Sequence, residues 1–184
     1  PVLVNGDFET DSNRDGVPDG WGTWNIMVEH QFNRFVQDVN LQEDLDGKAC
    51  PERPFNGKAC LKLPRAFDYQ GKQLGPPFGM TKLHYAPCSQ QAVYLRPGMR
   101  CRLKVLARTD PGNKGTVSVS VVGVTLADRD LAAWGDQWKT FEKEFDVPPT
   151  AGVLNYLTLT ADTSEPVYFD AVSLEELGPT TAKP

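Results

Sequence analysis

Cys88-Ser89-Gln90-Gln91-Ala92-Val93-Tyr94-Leu95-Arg96-Pro97-Gly98-Met99-Arg100-Cys101-Arg102-Leu103-Lys104-Val105-Leu106-Ala107-Arg108-Thr109 is the stretch that decides the fold. On both sides of a Pro-Gly break, apolar and polar residues alternate, the period of a β-strand whose two faces meet different surroundings. In the second run Cys101, Leu103, Val105 and Ala107 form the inward set, while Arg100, Arg102, Lys104 and Arg108 share the other face with Leu106. The break at Arg96–Met99 reads as a turn and predicts a hairpin between the two runs.

Outward from this stretch the same alternation marks about nine strands, near Val2–Glu9, Gly22–Glu29, Lys58–Leu63, Leu83–Leu95, Arg100–Thr109, Gly115–Val124, Trp138–Val147, Val153–Asp162 and Pro166–Leu177. The 16 Gly and 15 Pro residues fall between them as punctuation, the texture of an all-β chain. No window keeps a helical period, and no apolar run is long enough to span a bilayer. The 184 residues fit one domain, residues 1–177, followed by Gly178-Pro179-Thr180-Thr181-Ala182-Lys183-Pro184 as the start of a Thr/Pro linker. Pro1, with no leader before it, implies a removed signal peptide or a module cut from a longer chain. Two long insertions, Gln31–Pro54 and Pro64–Met80, interrupt the strand order, and loops of that length in a compact domain are functional or disordered.

Cys50, Cys60, Cys88 and Cys101 make an even count without C-x-x-C spacing. That argues against zinc and for disulfides in a secreted or extracellular setting. Three pairings are open, with Cys50–Cys60 and Cys88–Cys101 preferred, and buried thiols are the competing reading.

Three segments, in order, resemble the jelly-roll carbohydrate-binding modules attached to bacterial xylanases and glucanases. They are Leu3-Val4-Asn5-Gly6-Asp7-Phe8-Glu9 with Gly20-Trp21; Cys88 to Gly98; and Trp138-Lys139-Thr140-Phe141 with Val167-Tyr168-Phe169-Asp170-Ala171-Val172-Ser173-Leu174. The resemblance implies a β-sandwich jelly roll of two antiparallel sheets, a core role for Trp21, and glycan binding without saying which glycan.

Asp11-Ser12-Asn13-Arg14-Asp15-Gly16-Val17-Pro18-Asp19 places oxygen ligands at every second position. Side chains of Asp11, Asn13, Asp15 and Asp19 with the Val17 carbonyl could converge on a structural calcium ion, although Gly22 stands where a helix–loop–helix site has its bidentate Glu. The competing reading is a turn held by local side-chain hydrogen bonds. The family resemblance implies a second calcium between Glu9 and Asp170. Asp170 shares parity with Tyr168, Val172 and Leu174, so it is expected to face the core, where a carboxylate needs a partner; backbone N–H groups are the competing reading to a cation.

Sugars are bound by aromatic faces flanked by amide and charged groups. Trp24, opposite in parity to Trp21, Tyr69 on the second insertion, His84 and Tyr85 on the fourth strand, and Trp134 in the loop Asp128–Gln137 are the aromatic and imidazole candidates. Arg102 and Lys104 join them, because no Asp or Glu occurs from Gly71 to Thr109 and the basic face would suit an acidic polysaccharide. Cross-strand pairing with Glu142 and Glu144 is the alternative for those cations.

These features predict a monomeric, non-catalytic module that targets a polysaccharide for an enzyme appended through the C-terminal linker. A structural or adhesion spacer and a jelly-roll polysaccharide lyase are the alternatives; for the latter, His30 and His84 sit in no catalytic constellation. A net charge of −5 with no binding motif argues against nucleic acid.

Overall fold

A computed structural model describes residues 2–14, 18–24, 40–43, 55, 57, 59–63, 65–68 and 84–180; of positions 23–24, 40–43, 67–68 and 84–85 it describes the backbone. The strands are β1 (Gly22–Trp24), β2 (Asn40–Glu43), β3 (Ala59–Leu63), β4 (Phe67–Asp68), β5 (His84–Tyr85), β6 (Cys88–Tyr94), β7 (Met99–Thr109), β8 (Gly115–Val121), β9 (Val124–Asp128), β10 (Lys139–Asp146), β11 (Leu154–Thr163) and β12 (Val167–Pro179). A short 3-10 turn, Leu131–Trp134, lies between β9 and β10.

Two antiparallel five-stranded sheets, β1-β6-β11-β8-β9 and β10-β7-β12-β3-β2, pack face to face, and β4 pairs with β5. Between them lies a core in which Val93 and Leu95, Leu103 and Val105, Val117 and Val119, Leu157 and Leu159, and Phe169 are fully buried. Each pair is spaced by two residues, because the strand period sends alternate side chains inward. The all-β two-sheet sandwich expected from the alternation is therefore the fold.

Four local expectations are corrected. The Arg96–Met99 turn forms, with the Met99 N–H donating to the Arg96 carbonyl at 3.3 Å, but it joins no hairpin. β6 lies between β1 and β11, whereas β7 lies between β10 and β12 in the other sheet, so the turn carries the chain across the sandwich. Val2–Glu9 is not a strand. It is an irregular segment in which Gln91 grips the Val4 main chain from both sides, its amide oxygen accepting from the Val4 N–H and its amide nitrogen donating to the Val4 carbonyl, both at 2.8 Å. Gly6 passes so close to β12 that a Cβ there would sit 2.1 Å from the Val172 carbonyl oxygen. The expected strand Gly115–Val124 turns at Val122-Gly123 and returns as β9. β12 continues to Pro179, and the Thr180 N–H donates to the Gly98 carbonyl at 2.7 Å.

The parity assigned to Asp170 is also corrected. A β-bulge between Asp170 and Ser173, with Ala171 at φ 49°, shifts the alternation by one. Val167 and Phe169 face the core before the bulge, and Val172 and Leu174 after it. Asp170 pairs in register with Leu106 on the opposite face. It is fully buried there, in the layer where Cys60 and Tyr168 pack with Trp138.

Cys88 and Cys101 are free thiols: Cys101 faces the core from one sheet, whereas Cys88 lies in an outward-facing row of the other, so the Cys88–Cys101 bridge does not form. Burial raises both thiols above their ordinary value, which keeps them protonated at neutral pH. Cys50 lies outside the described residues.

Candidate functional site

The outward face of the sheet β1-β6-β11-β8-β9 is the surface with the chemistry of a ligand platform. Cross-strand partners share a face, and the registers link Gly22, Gln90, Thr158, Ser120 and Thr125 into one row across all five strands. The adjacent row runs through Trp24, Cys88, Thr160, Ser118 and Ala127. Strands lie about 4.8 Å apart, so such a row extends about 19 Å. Both rows offer hydroxyl groups, and the first adds the Gln90 amide, without a cation or carboxylate in either.

Beside these rows, further along β6 and β11, stands an apolar patch. Tyr94 is 67 % exposed, Tyr156 50 % and Leu154 49 %. Tyr94 pairs with Leu154, and Tyr156 with Ala92, so the two tyrosines are diagonal neighbours about 7–8 Å apart. Neither tyrosine hydroxyl has a hydrogen-bond partner among the described residues. Exposed aromatics this close together on an open sheet leave apolar surface in water, and covering them is favourable, which makes the patch suited to binding.

Sequence reasoning missed both residues, although a signal existed. Each is an aromatic on the polar phase of its strand, Tyr94 next to the inward Val93 and Leu95, and Tyr156 next to the inward Leu157.

The expected site residues separate. Trp24 is on the same sheet, in register with Cys88. His84 and Tyr85 form β5, paired with Asp68 and Phe67, and Tyr69 lies outside the described residues.

Arg102 and Lys104 belong to the other sheet, and the acidic-ligand reading of that face is corrected. Arg102 donates to Glu144 at 3.0 Å and lies 3.7 Å from Glu175 and 3.9 Å from Glu142. Arg100 contacts Glu144 at 3.1 Å and Asp146 at 3.4 Å. β7 brings arginines into register with the carboxylates of β10 and β12, so the strand that reads basic in sequence is a mixed-charge ladder in space. Lys104 sits opposite Glu142 and Ser173 and remains exposed.

Trp134 is not an exposed sugar platform. It is 5 % exposed, meets Phe141 edge-on with centroids 5.9 Å apart, and donates its indole N–H to Asp128 at 2.9 Å. The 3-10 turn folds it back into the sandwich, where its large apolar area is buried and its one polar atom is satisfied.

In the acidic loop, the Asp19 carboxylate accepts from the Ser12 N–H at 3.1 Å, and Asn5 bridges to Thr10 and Asp19. These hydrogen bonds tie the loop to itself and to Asn5; Asp15 and Val17 lie outside the described residues. Among the described residues no three His, Cys, Asp or Glu side chains gather as a metal site. One Glu9 oxygen accepts from the Ala59 N–H at 2.9 Å, and Gly57 at φ +71° leaves room that a Cβ would take from its carboxylate. Continuing the register of Leu61 with Phe169 puts Cys60 opposite Asp170, so Glu9 and Asp170 approach the same end of β3.

No protein-family profile matches the chain, and no curated protein matches it. Solved structures do. A family 16 carbohydrate-binding module aligns over 96 % of this chain and 100 % of its own at 19 % identity, with a TM-score of 0.55. The module TmCBM61, in complex with β-1,4-galactotriose, aligns over 95 % of this chain and 97 % of its own at 13 % identity, with a TM-score of 0.53. A family 4 carbohydrate-binding module aligns over 96 % and 99 % at 14 % identity, also at 0.53. At these identities the likeness is one of fold: the chain has the jelly-roll sandwich of carbohydrate-binding modules.

Proposed function

We propose that this protein is a non-catalytic carbohydrate-binding module that holds a neutral polysaccharide on the outward face of the sheet β1-β6-β11-β8-β9. The observation that carries the reading is the exposed pair Tyr94 and Tyr156 beside uncharged rows of hydroxyl and amide groups. Tyrosine rings stack on the C–H faces of pyranose rings, and the rows supply donors and acceptors for the hydroxyls. Rows without charge favour a neutral chain, since an anionic one would meet no cation there. Solved modules of the same fold, one of them holding a galactan trisaccharide, support the reading. A module of this kind acts outside the cell, beside an enzyme on the same chain.

The test is titration calorimetry of wild type, Tyr94→Ala and Tyr156→Ala against xylan, mixed-linkage glucan, galactan and pectin. Each substitution is expected to weaken binding at least about tenfold, since aromatic anchors at a contact centre dominate its energy, with the melting temperature unchanged. Undiminished binding by both variants would remove the sheet face from the function. Binding to pectin alone would return the ligand to the charged face.

A structural calcium ion held by Glu9 and Asp170 belongs to the same proposal. Asp170 is fully buried and accepts from the Ala171 N–H at 2.7 Å; a hard cation with oxygen ligands from β3, β12 and the N-terminal segment would offset the remaining cost of desolvating its charge. The ion would steady the fold and take no part in sugar contact.

A further inference from the structure

The stretch from Asp128 to Lys139 leaves the edge strand of one sheet, β9, and enters the edge strand of the other, β10. It encloses a cleft of about 470 Å³ lined by Asp128, Asp130, Trp134, Gln137, Trp138 and Lys139, within the range of small-ligand sites. Its frame is fixed in advance. One Asp128 oxygen accepts from the Asp130 N–H at 2.9 Å, and the other accepts from the Trp134 indole at 2.9 Å and lies 3.7 Å from the Lys139 ammonium. Trp138 rests against Cys60 and Tyr168 and meets the Phe55 ring at a centroid distance of 6.1 Å.

Asp128 is spent on this frame. The Asp130 carboxylate and the Gln137 amide oxygen have no hydrogen-bond partner among the described residues, and the Lys139 ammonium is half exposed. Two carboxylates against one ammonium disfavour an anionic ligand, and a purely apolar one would strand these polar groups without water. A neutral molecule with several hydroxyls satisfies all of them, with the partly exposed Trp138 indole beside its C–H face.

We propose that this edge cleft is a second carbohydrate site, separate from the sheet face, which takes a short glycan such as a chain end or side branch. It rests on the reading that the protein binds carbohydrate. Its position on the side of the sandwich would let one module hold a chain on the sheet face and a second strand or branch at the edge, which raises avidity without enlarging either site.

The experiment is a titration of 15N-labelled protein with galactose, glucose, mannose and xylose and their β-1,4-linked disaccharides. It follows the indole resonances of Trp134 and Trp138 and the amides of β6 and β11. Saturable indole shifts with at least one sugar are expected in wild type and also in Tyr94→Ala/Tyr156→Ala. Asp130→Ala/Gln137→Ala, which changes two exposed side chains, should weaken the indole response at least about tenfold and leave the β6 and β11 response intact. Shifts confined to β6 and β11 would overturn the edge site and leave the sheet-face reading standing. Indole shifts without sheet-face shifts would support the edge site and overturn the sheet-face reading. Shifts in neither place would overturn both, as would indole shifts indifferent to Asp130→Ala/Gln137→Ala for the edge site.

Discussion

Removing the Gln91 amide tests how the N-terminal segment is held. Gln91 is 5 % exposed and bridges 87 residues of sequence to the N–H and carbonyl of Val4, each at 2.8 Å. In Gln91→Ala two neutral hydrogen bonds are lost, each worth about 0.5–1.5 kcal/mol net. Val4 is half exposed, so water recovers part of the loss, which places the cost at about 1–2 kcal/mol. For a chain of this length each kcal/mol moves the melting temperature by about 2–4 °C, so a fall of about 4 °C is expected. Gln91→Glu is nearly isosteric and sharper. The introduced carboxyl keeps an acceptor for the Val4 N–H, but when ionised it opposes the Val4 carbonyl with a second oxygen. Its folded-state pKa is therefore raised above the unfolded value of about 4.3. The folded chain then holds a proton that the unfolded chain has released, so stability is full below about pH 4.3 and is lost as pH rises through the folded-state value. Thermal melts by circular dichroism at pH 4 and pH 8 should show Gln91→Glu close to wild type at the lower pH and well below it at the higher. A Gln91→Ala melt within 1 °C of wild type, or a Gln91→Glu penalty independent of pH, would refute the reasoning.

Three further outcomes follow from the same geometry. Hydrogen bonds from Arg102 and then Arg100 hold Glu144 below the usual carboxylate range, and Arg96 does the same to Glu176. A depressed folded-state pKa gives stability that is present above about 4.3 and lost as pH falls through the folded value, so Glu144→Gln/Glu176→Gln should flatten the acid limb of the melting curve, and a limb unchanged in steepness would count against the ladder. Trp134→Ala removes a core indole and should cost about 3–5 kcal/mol, read as a large drop in denaturation midpoint; a near-neutral result would reinstate an exposed role for Trp134. Chelation should lower the melting temperature by several degrees, with recovery on adding calcium and no such response in Asp170→Asn; a melt indifferent to chelator would remove the Glu9–Asp170 ion from the proposal.

Strand alternation was legible wherever both faces of a strand differ, which is why β7, β10 and β11 lie close to where the sequence puts them. Trp21 shows the same legibility: it is buried against Phe8 with centroids 5.2 Å apart. The candidate site was much less legible. Arg102 and Lys104 read as a basic face because local sequence cannot see the carboxylates that β10 and β12 lay beside them. Trp134 read as exposed because a loop gives no sign of which way its 3-10 turn will fold.

The sequence by itself determined the class of fold, since period-two patterning and turn residues act within a few residues of one another. Only the tertiary structure decided which strands share a sheet. That pairing sends the Arg96–Met99 turn across the sandwich rather than into a hairpin, neutralises the arginines, and gathers Tyr94 and Tyr156 from strands 60 residues apart in the chain. The bulge at Asp170 makes the same point at the scale of one residue: a single unpaired position reverses the face assignments that follow it, up to the next shift at Glu176–Gly178, and nothing in the local alternation announces where it falls.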